Sequence, residues 1–376
     1  MVDDLIPLLF EKNARSFNTF GMGFLPKWIK GTPEVIEERN GEYYFQGELP
    51  ISGLNVDKLA IDRIICCAPA PGKRIQPFRI QDLSKPPDSD TLKVYAPHVS
   101  YQLTQTAVRP NSGNNPPTYA TAQAAMNALW NACRPSMNGV FTPYSDIVPS
   151  ASLPFGNANP LSVRAALGGV DGSMIDVFGG ELEWDGWTVR LLSSRGSVTN
   201  KIVRYGANLE TLEFETDARP MITAYIGYVK DEADGVTLMG NIVYLPGADA
   251  FAYPRMAMID FTEQFKDSPT LPTAQQITDL TQAAVNGLTA SLPTFVNITA
   301  VPDSLQDVYL CDTVNVVHPG YDFQQSAKIV RTVFDPITER YKQVTVGEMA
   351  KLITDTIAEI SGKKMQKHQV SGRAYQ

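Results

Sequence analysis

The residues that most enzyme chemistry relies on are scarce in this 376-residue chain. There are three histidines, His98, His318 and His368, scattered and without HExxH or any paired spacing. Protein ligands for a zinc site are therefore not supplied. The four cysteines, Cys66, Cys67, Cys133 and Cys311, contain no CxxC, and a chain this long needs no disulfide scaffold. They are expected as reduced, buried thiols, with the adjacent Cys66 and Cys67 pointing to opposite faces of one strand. No GxSxG nucleophile turn and no GxxxxGK[ST] phosphate loop occurs, and Gly21-Met-Gly23 lacks the third glycine and the helix of a dinucleotide loop. Cations are outnumbered, 32 Lys and Arg against 40 Asp and Glu, for a formal charge of −8. That balance argues against tight wrapping of nucleic acid, which needs clustered cations. No apolar run approaches the ~18 residues of a spanning helix. The run Leu5 to Phe10 is too short, and lacks the basic flank, for a signal segment. The expectation is synthesis in a cytosol without a membrane anchor.

Strands and turns are abundant. Strands are expected around Tyr43–Leu49, Ile61–Cys67, Phe78–Ile80 and Leu92–Tyr95, with Pro71-Gly72 and Pro86-Pro87-Asp88 as turns. Residues 99–200 read as a mixed α/β module, with helices over Val99–Thr106, Thr121–Cys133 and Ser162–Leu167. Strands resume at Lys201–Tyr205, Leu209–Glu215, Met221–Tyr228, Val236–Tyr244 and Met256–Phe261. Thr273 can cap a helix that Pro293 stops, and Ile277, Leu280, Ala284 and Leu288 follow helical spacing along it. Further strands are expected at Phe295–Ile298, Thr313–Val317, Ala327–Val333 and Tyr341–Val346, then a helix over Glu348–Ile360 and a basic tail.

A weak repeat runs through this pattern. Ile64–Cys67, the loop at 71–72, Phe78-Arg-Ile80, a turn and Leu92-Lys-Val94 form one series. Val314–Val317, the loop at 319–320, Ala327-Lys-Ile329, a turn and Lys342-Gln-Val344 form another. Two similar small β-barrels would leave such a trace; chance similarity between β segments is the competing explanation.

The stretch GGELEWDGWTVRLLSSRG, residues 179–196, places acids among tryptophans, as a glycosidase cleft does. Asp185-Gly186 is also a two-residue hairpin signal. Folding there puts Trp184 opposite Trp187, Leu182 opposite Val189, Glu183 opposite Thr188 and Glu181 opposite Arg190. The tryptophans then share one face as a cross-strand pair, and the carboxylates share the other, with an exposed Glu181–Arg190 ion pair. Acids and aromatics on opposite faces do not make a glycosidase, so the structural reading is preferred. Asp88-Ser-Asp90 and Asp231-Glu-Ala-Asp234 read as solvated turns, with a weak calcium site as the alternative. No catalytic, cofactor-binding or metal-binding residue is assigned, and no cofactor is expected.

The residues carry a resemblance as well. Ile36-Glu-Glu-Arg-Asn-Gly-Glu-Tyr-Tyr44, Phe78-Arg-Ile80 and Val94-Tyr-Ala-Pro-His98 are similar to the opening of the phage tail-hub family, the Tal or prophage endopeptidase-tail proteins. Gly179-Gly-Glu-Leu-Glu, Arg195-Gly196 and Arg204-Tyr-Gly-Ala-Asn-Leu209 continue it. Asp312-Thr-Val-Asn-Val-Val317 and Phe334-Asp-Pro-Ile-Thr-Glu-Arg-Tyr341 match its second barrel. The resemblance implies a β-rich α+β multidomain chain. Its first tube barrel would lie at 1–98, completed by 201–235, with 99–200 inserted. A second barrel would span 236–376, with helices at 273–292 and 348–360. It implies a non-enzymatic, short form without a C-terminal lytic domain: a virion protein of the tail tip, or baseplate, assembled in the host cytoplasm. It implies a homotrimer beneath the hexameric distal tail ring, with tape measure and receptor-binding proteins as further partners, serving host adsorption and DNA passage. A wall-degrading hydrolase and a host-carbohydrate-binding module are the rival readings.

Overall fold

A computed structural model describes residues 6–109, 117–153, 161–170, 172–204, 209–216, 221–230, 237–265, 270–286, 288, 290, 294–300, 305–318 and 323–347. The chain divides into two compact units. One comprises Met1–Glu213 with Asn297–Glu348, the other Phe214–Val296 with Met349–Gln376.

In the first unit the strands are β1 (Leu8–Phe10), β2 (Glu34–Glu38), β3 (Tyr43–Pro50), β4 (Ile64–Cys67), β5 (Gln76–Arg79), β6 (Asp82–Ser84) and β7 (Thr91–Pro97). Strand β3 alternates buried and half-buried residues along its whole length, the period of a strand with one face on a core. Then come helix α1 (Ala122–Ala132), strand β8 (Thr142–Ser145), helix α2 (Val163–Leu167), strands β9 (Glu181–Asp185), β10 (Thr188–Leu192) and β11 (Val198–Arg204). Both helices are capped: Thr121 Oγ1 accepts from Ala124 N at 3.1 Å, and Ser162 Oγ from Ala165 N at 3.2 Å. One apolar core runs from Leu9 and Phe45 through Trp130 to Leu191. Residues 99–200 therefore share their packing with the N-terminal strands.

Strand β12 (Leu209–Thr216) leads into the second unit. There β13 (Ala224–Lys230) pairs with β14 (Thr237–Met239), β15 (Val243–Tyr244) and, in parallel, β16 (Met256–Asp260). The strands within 224–230 and 237–260, placed in different barrels on the sequence reading, here form a sheet of their own. Helix α3 (Ala274–Ala284) packs its Ile277 and Ala284 into that unit's core beside Tyr225 and Phe261. Thr273 caps it in a reciprocal box with Gln276. The helix ends eight residues short of the expected Leu292 because Val285 leaves helical geometry. The chain returns through β17 (Thr294–Ala300) to β18 (Thr313–His318), β19 (Phe323–Asp335) and β20 (Arg340–Gly347). The helix expected at 348–360 lies outside the described residues.

The strands of the first unit are wired twice in the same way. In the first series, β2 pairs β3, β3 pairs β7, β7 pairs β6, β5 pairs β4, and β4 pairs β1. In the second, β12 neighbours β17, β17 pairs β20, β20 pairs β19, β19 pairs β18, and β18 pairs β11. The first half of β19 bonds β18 and its second half bonds β20. In the first series β5 and β6 divide that work, the ladder changing sides between Ile80, which donates to Arg63 O, and Gln81, which donates to Tyr95 O. The corner before each central pair of strands also matches. Asp62 N donates to Ile80 O, and Ile80 N to Arg63 O, at 2.9 and 2.8 Å. Cys311 N donates to Ile329 O, and Ile329 N to Asp312 O, at the same distances. Asp62 and Cys311 both sit at φ 71°. One difference is that β1 runs antiparallel to β4 whereas β11 runs parallel to β18. The two series meet where β2 pairs β19, Phe334 opposite Val35. The repeat read from the sequence is thus present as strand wiring. The expected barrels are not: no sheet of the described residues closes on itself.

Candidate functional site

Strands β9 and β10 form the expected hairpin, with its register shifted. Asp185 faces Thr188, Trp184 faces Val189 and Glu183 faces Arg190. The loop residues are Gly186 and Trp187, not Asp185 and Gly186. Gly186 takes φ +57°, as the first position of a tight two-residue turn requires of glycine. Gln76 on β5 fixes this choice, donating to Asp185 Oδ1 at 3.0 Å and accepting from Gly186 N at 2.7 Å. The faces are as expected: Leu182, Trp184, Val189 and Leu191 are buried, while Glu183, Asp185 and Arg190 lie opposite. The cross-strand tryptophan pair does not form. Trp187 turns onto Phe141, ring centroids 5.2 Å apart.

The expected Glu181–Arg190 ion pair is also replaced. Arg190 binds Glu183 at 2.7 Å and Asp185 at 3.3 Å, with each side chain about one third exposed. Glu181 is buried, its side chain 8% exposed. Its carboxylate accepts from Lys328 Nζ at 2.9 and 3.1 Å, from Arg195 N at 2.6 Å and from Arg39 Nη1 at 3.4 Å. Arg195 reaches on to Glu37 at 2.9 Å and to Leu182 O at 2.8 Å. Burial opposes the Arg195 cation, yet Glu37 beside it keeps the group protonated above its ordinary range. Asp312 accepts from Ser197 N, Ser197 Oγ and Tyr309 N. These bonds clamp the segment from β9 to β11 onto β2 and β19. Three cations face two carboxylates, each acid held by hydrogen bonds, so the cluster is structural glue rather than an acid–base pair.

The sequence reading missed the convergence of Arg39 and Lys328 on Glu181 and the buried state of Glu181. Lys328 stood in the repeat, and Arg39 and Arg195 in the family-like stretches, but nothing in the sequence joined them. The histidines stay apart. His98 is fully buried, stacked on Tyr43 at 4.6 Å, and its Nδ1 accepts from Ser100 N. Burial, aided by the Arg164 cation, lowers its pKa to about 3; it is neutral at pH 7 and unsuited to act as a base. His318 ends β18, and His368 lies outside the described residues. All four thiols are free and buried. Cys66 and Cys67 enter different apolar clusters, on opposite faces of β4 as expected. Among the described residues no cluster of three or more His, Cys, Asp or Glu is placed to hold a metal. Asp88 occupies a left-handed turn position, φ 59°, and Asp231–Asp234 lie outside the described residues. No helix among the described residues is long and apolar enough to cross a membrane.

Residues 197–357 match the prophage endopeptidase tail family. Among solved structures, the prophage tail protein gp18 of Listeria monocytogenes EGD-e is similar at TM-score 0.58 and 14% identity, over 95% of this chain and 98% of that one. A 43 kDa tail protein of prophage MuSo2 from Shewanella oneidensis gives 0.54 at 10% identity, over 91% and 98%. A tail protein of Neisseria meningitidis MC58 gives 0.50 at 10%, over 94% and 98%. No curated protein matches. The chain thus shares its fold with these prophage tail proteins. The matched segment, 197–357, holds the second strand series, and both findings agree with the tail-hub resemblance of the sequence.

Proposed function

We propose that this protein is a structural hub of the phage tail tip. The observation that carries the reading is the duplicated strand wiring in a chain whose second series falls within the tail-family match. Each series is the wall of one tube element, the first from residues 8–97 and the second from 198–216 with 294–347. Three chains then present six such elements. A threefold assembly with six similar elements can seat on a hexameric distal tail ring. The hub caps or extends the tail tube there and takes part in adsorption and DNA passage. The net charge of −8 favours a surface that does not retain DNA. Engagement of Glu181 and Glu183 by cations supports a non-enzymatic role.

The test is solution mass by light scattering, alone and with the purified distal tail protein. The hub forms a trimer alone, or becomes trimeric on the ring. A monomer in both conditions, or release of sugar or peptide fragments from purified cell wall, contradicts the reading.

A further inference from the structure

The two matching corners of the strand series differ in what fills them. In the second, Lys328 receives the carboxylate of Glu181, and Gly196 packs directly against the Cys311 carbonyl. In the first, Arg79 holds the position of Lys328 and Asp62 that of Cys311. Arg79 donates only to main-chain oxygens, Lys12 O at 3.0 Å and Asp62 O at 2.8 Å. Among the described residues no side chain covers this corner as Glu181 covers the other. An open cleft of about 570 Å³ lies there, its wall including Lys12, Arg15, Arg79, Asp62, Gln81 and Gln102.

The cleft has the chemistry of an anion site. Three cations stand against one carboxylate. Among the described residues, the side-chain ends of Lys12 and Arg15 and the amides of Gln81 and Gln102 make no hydrogen bond. Arg15 instead lies 4.0 Å over the Trp187 ring. Burial, and then the nearby Arg15 cation, push Arg79 below its ordinary value, with Asp62 opposing. Among the described residues, two buried donors close by lack partners: Nε2 of His98, whose residue lines the cleft, and Nε1 of Trp187 beneath Arg15. Because His98 Nδ1 accepts from Ser100 N, the neutral ring carries its hydrogen on Nε2.

We propose that this cleft binds a carboxylate presented by an acidic segment of a neighbouring protein chain, seated on Arg79 as Glu181 is seated on Lys328. The filled corner is the internal precedent: the same backbone geometry, a cation at the matching position and a glutamate delivered from a separate element. The proposal deepens the hub reading by naming one contact. Its test uses the isolated full chain, so a hub that trimerises yet fails the test refutes the cleft alone.

The probe is a fluorescently labelled peptide, acetyl-Gly-Glu-Leu-Glu-amide, matching residues 180–183, read by anisotropy at low salt. Saturable binding is expected. Arg15→Ala with Lys12→Ala, both at exposed positions, weakens it about tenfold, and 0.5 M salt weakens it further. Arg79→Lys, which installs the second corner's residue, retains binding, with circular dichroism confirming its fold. The Gln-for-Glu peptide does not bind. Absence of saturable binding, equal binding of the Gln peptide, or binding of inorganic phosphate or glucuronate without binding of the peptide overturns the proposal.

Discussion

Replacing Glu181 with glutamine removes the one charge that holds three elements together. Lys328, Arg195 N and Arg39 all converge on its carboxylate, and after the change Lys328 and Arg39 lose the carboxylate that pairs them. Breaking a fully buried pair costs about 3–5 kcal/mol, whereas an exposed pair is worth ~0–1 kcal/mol. Glu181 is 8% exposed but Lys328 is 29% exposed, so the expected loss lies between, about 3 kcal/mol. With a urea slope of roughly 3 kcal/mol/M for a unit of this size, the midpoint falls by about 1 M. Trp184 and Trp187 sit on the affected hairpin, so tryptophan fluorescence is the direct readout. Glu183→Gln is the internal control: its partner Arg190 is one third exposed, and a loss of no more than about 1 kcal/mol is expected. Equal shifts for the two variants, or no shift for Glu181→Gln, would refute the assignment of Glu181 as the clamp.

Two further predictions follow from buried groups. His98 is neutral in the folded chain down to about pH 3, while an unfolded histidine titrates near 6.5. Its contribution is complete above the unfolded value and is lost as pH falls through that window. Between pH 7 and 5 the parent therefore loses about 2 kcal/mol that a His98→Phe variant does not lose, measured by urea unfolding at each pH; identical slopes would contradict this. Gly196 and Gly72 both have positive φ, +73° and +64°, but a Cβ at Gly196 would overlap the Cys311 carbonyl, whereas at Gly72 it meets nothing within 4 Å. Gly196→Ala should cost about 3 kcal/mol or more and Gly72→Ala about 1 kcal/mol, compared by thermal unfolding.

What could be read from the sequence was local. Thr121 and Thr273 announced their helices because a cap needs only its own first turn. The far end of α3 was not legible: Leu288 keeps helical spacing, yet it packs on the second unit's core from beyond the helix end. The hairpin was visible in Asp185-Gly186, but its register depends on Gln76, more than a hundred residues away. Alternation placed Glu181 on a wet face; Lys328 and Arg39 arrive from distant strands to bury it. The duplication survived as the order of strands, because wiring is kept by backbone bonds such as Asp62 N to Ile80 O that any residue can make. The break between β5 and β6 at Ile80 and Gln81 left no mark that distinguishes it from the continuous β19. The open cleft of the first corner follows from that break and from the approach of residues 12–15, and neither is visible in composition.

Electron microscopy of the chain bound to its purified distal tail ring tests the geometric account most directly. Three copies should meet the ring through six like-wired strand series, two from each chain, with a bound mass of three times 41.3 kDa. Six copies on the ring, or one copy meeting it through a single series, would contradict the account.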